Sequence, residues 1–85
     1  MASVILYTKS YCPFSTDCKK YLDEKGVPFM EKLIDDDPAM TKEMETKSGG
    51  RTDTPQVFIN EHHIGSFDDM KALEATDKLN EMLDL

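Results

Sequence analysis

Cysteine is scarce in this sequence: Cys12 and Cys18 are the only two among 85 residues. Two thiols are too few to be the disulfide framework of a secreted mini-protein. Basic residues are short as well, ten against seventeen acids, which leaves a formal charge of −7. A nucleic-acid binder carries a basic footprint, so that class is set aside. Long apolar runs are also missing, since no stretch approaches the roughly 20 residues of a membrane span. The first residues lack the basic head of a signal peptide. These absences lead to the expectation of a cytoplasmic protein with neither nucleic-acid nor membrane partners. At the other extreme, 39% hydrophobic residues is too many for a disordered acidic tail. A chain of this length is expected to be one small domain, residues 1–85, burying only about 60–65% of its unfolded surface.

The charge is uneven. Residues 1–34 carry five lysines against four acids, whereas residues 35–85 carry five basic side chains against thirteen acids. Both cysteines lie in the part that is not acidic, where a thiolate meets least repulsion. The acidic part reads as a solvated surface.

Val4-Ile5-Leu6-Tyr7 reads as a buried strand. After a polar connection, Pro13 suits a first helical turn, and Phe14, Cys18, Tyr21 and Leu22 recur on one helical face. Lys25-Gly26 ends that helix, with a cation in the last turn and then a left-handed cap. Val27-Pro28-Phe29 opens a second strand running to about Ile34. The aspartates before Pro38 suit an N-cap, and Met40, Met44 and Lys47 mark the inner side of a helix that stops at Gly49-Gly50. Gln56 to Ile59 is strand-like, with Pro55 at its start. Asn60-Glu61-His62 turns into a short return strand, His63-Ile64, stopped by Gly65. Ser66 to Asp69 cap a helix carrying Met70, Leu73 and Ala75, and a last short helix holds Leu79, Met82 and Leu83. The order β-α-β-α-β-β-α predicts an α/β fold with one mixed four-stranded sheet covered by helices. Its first β-α-β pairs in parallel and its late hairpin is antiparallel.

Cys12 falls between a buried strand and a helix N-terminus, where free amides and the helix dipole stabilise an anion. A thiol so placed has a lowered pKa, and the thiolate is the reactive form. Lys9 stands three residues before it as a source of positive charge. The alternative, a small buried hydrophobe, fits poorly in a loop between Ser10 and Pro13. Cys18 is the opposite case, on the apolar stripe of the helix. At about 1.5 Å per residue the two Cα atoms stand about 9 Å apart, too far for a disulfide without unwinding. C-x5-C also fits no usual zinc spacing, so no metal is expected, and His62 and His63 are expected on the solvent side of the hairpin.

The segments Tyr7 to Phe14, Gly26 to Phe29, Ser48 to Arg51, Thr54 to Asn60 and Ile64 to Asp69 together resemble the glutaredoxin family, in its small bacterial-type class. The resemblance implies a thioredoxin-like fold with helices on both faces of the sheet. It also implies glutathione-dependent thiol–disulfide exchange on protein–glutathione mixed disulfides, serving cell redox homeostasis. By that resemblance Cys12 is the nucleophile, and Lys9, Cys12, Phe14, Arg51, Thr54, Pro55, Asp68 and Asp69 bind glutathione, the co-substrate. Lys9 pairs with its glycyl carboxylate, Phe14 lines the groove at a position usually tyrosine, and Thr54 precedes a cis-proline at Pro55. Asp68 and Asp69 open a helix whose amides hold the γ-glutamyl carboxylate while a side chain holds its ammonium. Plain N-capping is the other role for these aspartates, and the two coexist.

The sequence departs from the family pattern at three places. Ser15 stands where dithiol members carry a resolving cysteine, giving C-P-F-S. Native or introduced, a serine there closes the intramolecular disulfide route. Thr52-Asp53-Thr54 replaces the more usual R-T-V, which removes a carboxylate-binding charge for which Arg51 is the available substitute. Phe67 replaces a residue that is often cysteine. The expected cycle is monothiol and needs no general base when the Cys12 pKa lies below ambient pH. Two rivals are a monothiol glutaredoxin carrying a [2Fe–2S] cluster between two chains and two glutathiones, as an iron–sulfur carrier, and a binding module without catalysis. A monomer is expected for the monothiol cycle.

Overall fold

In the computed structural model, which describes residues 2–85, four strands form one sheet in the order β2-β1-β3-β4. The strands are β1 (Val4–Thr8), β2 (Met30–Leu33), β3 (Gln56–Ile59) and β4 (His62–Gly65). The helices are α1 (Pro13–Glu24), α2 (Pro38–Lys47), α3 (Phe67–Ala75) and α4 (Lys78–Met82). β1 pairs with β2 in parallel, Ile5 opposite Met30, and with β3 antiparallel, Leu6 opposite Val57. β3 and β4 form the antiparallel hairpin, with an irregularity between Val57 and Phe58. This is the mixed sheet expected from the element order, in the thioredoxin-like arrangement that the family resemblance implies.

Side-chain alternation on β1 and β3 divides the core between the sheet's two faces. Val4, Leu6, Val57 and Ile59 pack with Cys18 and Leu22 of α1, Phe67 and Met70 of α3, and Leu79 of α4. The intervening residues, Tyr7 and Phe58, pack with Ile34 and with Met44 of α2 on the other face. Two small cores follow from one period-two pattern, and helices cover both faces.

Local chemistry sets the boundaries. Asp37 caps α2, its carboxylate accepting the Met40 amide at 3.0 Å, with Pro38 at the first helical position. Ser66 and Asp69 make a reciprocal capping box at α3. Asn60 and Glu61 both have positive φ, the geometry of a two-residue hairpin turn. Gly65, at φ 121°, abuts the Asp69 carboxylate so closely that a Cβ there would collide with it.

The second strand begins at Met30, not Val27. Val27 continues the α1 terminus, its amide donating to the Leu22 carbonyl at 3.0 Å, and Pro28 has no N–H to offer a ladder. Lys25 is the C-cap of α1 and not part of its last turn, and its amine reaches Glu74 at 2.9 Å. Lys47 is exposed, so Met40 and Met44 alone form the apolar side of α2. His62 belongs to β4 and not to the turn.

Candidate functional site

The residues that bear on chemistry come together where β1 ends, α1 and α3 begin, and the chain enters β3. Between β1 and α1 the loop is pinned at both ends. The Cys12 amide donates to the Lys9 carbonyl at 3.1 Å, and the Ser10 amide and hydroxyl both donate to the Asp35 carboxylate. Cys12 then takes extended backbone angles as the N-cap of α1, with Pro13 filling the first helical position. Cys12 makes no side-chain cap bond, and the free amides of the first turn of α1 lie at the same helix end as its sulfur.

Burial acts to raise the Cys12 pKa, but it is outweighed. The Thr54 side chain, the amides of Ser15 and Phe14, and the Ser15 hydroxyl stabilise the thiolate and hold the thiol below its ordinary value. In the protonated form, the thiol points at the Thr54 carbonyl, 3.5 Å away. Lys9 is not among these causes. Its charge acts on Asp35 instead, adding to the Ser10 hydrogen bonds that lower that carboxyl. Cys12 is half-buried, as a nucleophile that must meet a partner requires.

Ser15 is fully buried, and its oxygen accepts the Lys9 amide at 3.4 Å. The same hydroxyl is among the groups that lower the Cys12 pKa, so Ser15 bears on both the β1–α1 loop and the thiol. Cys18 is fully buried in the first core, and burial pushes its thiol up to about 12. The two thiols share a helix and nothing else. Both are free cysteines.

Beside Cys12 lies a groove of about 190 Å³ lined by Phe14, Asp53, Thr54, Pro55, Ser66, Phe67 and Asp68. The Thr54–Pro55 peptide is cis. Phe14 is 61% exposed and Tyr11 beside it 74%, two apolar rings left facing solvent at the reactive loop. Of the expected glutathione contacts, the fold thus brings Cys12, Phe14, Thr54, Pro55 and Asp68 together. Lys9, Arg51 and Asp69 stand outside the groove lining. The Asp69 carboxylate accepts the Ser66 amide at 2.8 Å and the Ser66 hydroxyl at 3.0 Å, so it is engaged in capping α3. Arg51 donates to both Asp53 oxygens, at 2.8 and 2.7 Å, and Nη1 lies 3.6 Å from Asp69. Three lining residues escaped the sequence-level list of ligand contacts: Asp53, Ser66 and Phe67. All three fall inside or beside motifs that were recognised, and only side-chain direction separates lining from support.

His62 and His63 are exposed on β4, and His63 Nε2 is 2.7 Å from Gln56 Oε1. Among the described residues, no helix is long and apolar enough to cross a membrane.

The sequence model of the glutaredoxin family matches residues 4–64. The chain is 46% identical over 83 residues to glutaredoxin 3 of Escherichia coli K12, covering 98% of this chain and 99% of that one. It is 40% identical to a Pseudomonas aeruginosa glutaredoxin over 98% of each chain. Among solved structures, the buckwheat glutaredoxin–glutathione complex superposes with a TM-score of 0.87 at 26% identity, over 98% of this chain and 77% of that one. The Brucella melitensis glutaredoxin gives 0.83 at 40% identity, over 98% and 89%.

Proposed function

The chain belongs to the glutaredoxin family of thiol–disulfide oxidoreductases, and from that membership we propose that it reduces protein–glutathione mixed disulfides through Cys12 alone. The observation that carries the reading is the placement of Cys12. It is a thiol with a lowered pKa at a helix N-terminus, beside a groove, with Ser15 where a second thiol would stand.

The Cys12 thiolate attacks the glutathione sulfur of the mixed disulfide. A Cys12–glutathione disulfide forms, the original bond breaks, and the substrate protein leaves as a thiolate. A second glutathione thiolate then attacks the glutathione sulfur held on Cys12. Glutathione disulfide departs and the Cys12 thiolate returns, so each cycle consumes one glutathione thiolate, frees one protein thiolate and exchanges one disulfide for another. The amides and hydroxyls that hold the Cys12 thiol below its ordinary value enlarge its thiolate fraction, and no general base is assigned to it.

Glutathione lies along the groove in this reading. The Thr54 backbone, ahead of Pro55, meets its cysteinyl part, and the Phe14 ring covers the sulfur side. Lys9 meets the glycyl carboxylate. The α3 amides meet the γ-glutamyl carboxylate, while Asp68, 83% exposed on its side chain, meets the ammonium. Asp69 serves by keeping that helix end formed. We place the protein in the cytoplasm as a single-domain monomer, with glutathionylated proteins as its partners.

The test is deglutathionylation of a peptide mixed disulfide by excess glutathione. The wild type is expected to turn over and Cys12→Ser to fall to the uncatalysed rate. A Cys12→Ser variant of undiminished activity overturns the proposal.

A further inference from the structure

Arg51 joins two acidic side chains, so its charge is already paired on both sides. Its Nε and Nη2 donate to the two oxygens of Asp53 in a fork-to-fork pair, and Nη1 faces Asp69 at the start of α3. Asp53 and Asp68 are the charged side chains that line the groove, and both are acidic. Yet the ligand assigned to this groove brings two carboxylates and one ammonium. A ligand carboxylate that recruits Arg51 must displace the Asp53 carboxylate, trading one two-point pair for another of the same kind. It must also approach the displaced anion. The pair therefore holds back the one arginine in the chain from the groove it adjoins.

Asp53 owes its position to local structure. The Ser48 hydroxyl accepts the Arg51 amide at 3.1 Å, and the Asp53 carbonyl accepts the Gln56 side-chain amide at 2.9 Å. These bonds set the loop without using the Asp53 carboxylate, whose two oxygens go to Arg51.

Resting on the glutathione reading, we propose that Asp53 is a specificity-determining residue. It withholds Arg51 from the ligand's carboxylate, and so weights the site toward mixed disulfides whose small-thiol half carries fewer carboxylates. The bond chemistry at Cys12 is untouched, because the effect is on capture of the substrate.

The experiment compares one peptide joined by a disulfide either to glutathione or to glutathione diethyl ester, whose carboxylates are masked. Asp53→Asn is expected to raise kcat/KM for the free-acid substrate about fivefold at low ionic strength, the upper range of an exposed ion pair. The diester is expected to change less than twofold. In the Asp53→Asn, Arg51→Gln double variant the gain is expected to vanish. Both side chains are exposed, at 52% and 40%, so the variants should fold as the wild type does, which circular dichroism checks. Equal changes for the two substrates, or a gain that survives loss of Arg51, overturn the proposal. A wild type that exchanges neither substrate contradicts the glutathione reading itself, and that result needs no variant.

Discussion

Replacing Ser15 by alanine tests whether the buried hydroxyl acts on the Cys12 sulfur. Ser15 accepts the Lys9 amide at 3.4 Å and is among the groups that stabilise the thiolate. A hydrogen bond to a charged acceptor contributes about 1.5–3 kcal/mol when buried. Because the Cys12 sulfur is only partly buried, we take about 1 kcal/mol, which is about fivefold in thiolate population at low pH. Nucleophilicity moves the other way, rising with thiol basicity with a Brønsted slope of about 0.4–0.5. The fivefold loss therefore shrinks to about 2.5-fold in alkylation rate on the acid limb, and the alkaline plateau rises about twofold. The assay is iodoacetamide alkylation of Cys12 followed across pH, read by mass spectrometry. The predicted signature is two pH profiles that cross. Profiles that superpose, or that differ by one constant factor at every pH, refute a hydrogen bond from Ser15 to the thiolate.

Two further outcomes follow from the same geometry. The Cys12 thiol titrates lower in the folded chain than its ordinary value of 9.0, so between those two values the unfolded chain binds more protons and stability rises with pH. That contribution is present above the unfolded value and is lost as pH falls through the folded one. Cys12→Ala is expected to flatten the slope of the urea midpoint in this window, and an unchanged slope contradicts the assignment. Cys18, pushed up to about 12 and fully buried, is expected to resist alkylation at neutral pH until the protein unfolds. Cys18→Ser is expected to lower unfolding free energy by about 1–3 kcal/mol, since its hydroxyl enters an apolar core. Labelling of Cys18 at the rate of Cys12 in native conditions contradicts this placement.

Most of the fold was legible because its signals are local. The apolar run at 4–7, the proline at 13, the caps at Asp37 and Ser66 and the Gly65 stop each act within a few residues, and the helices and strands begin or end there. The β2 start was misplaced because Val27 is apolar for a different reason. It seals the end of α1 against the first core, and a composition pattern cannot separate that from a strand residue. Lys47 was misjudged similarly, since its helical spacing from Met40 is right but its side chain stays in solvent.

At the site, Cys12 and Cys18 separate on sequence because one sits at a loop-to-helix junction and the other on an apolar stripe. The partnerships of Arg51 were not legible. Pairing with Asp53 depends on the turn that brings residues 51 and 53 around to one side, and the approach of Asp69 depends on where α3 docks. Likewise Asp68 and Asp69 read alike in sequence, and only the helix start decides that one caps and the other faces the groove.

The most direct test of the account is mass spectrometry of the intact protein after treatment with glutathione disulfide. A single glutathione on Cys12, stable over time and released by added glutathione, is the expected result. An internal Cys12–Cys18 disulfide, or adducts shared equally between Cys12 and Cys18, would contradict it.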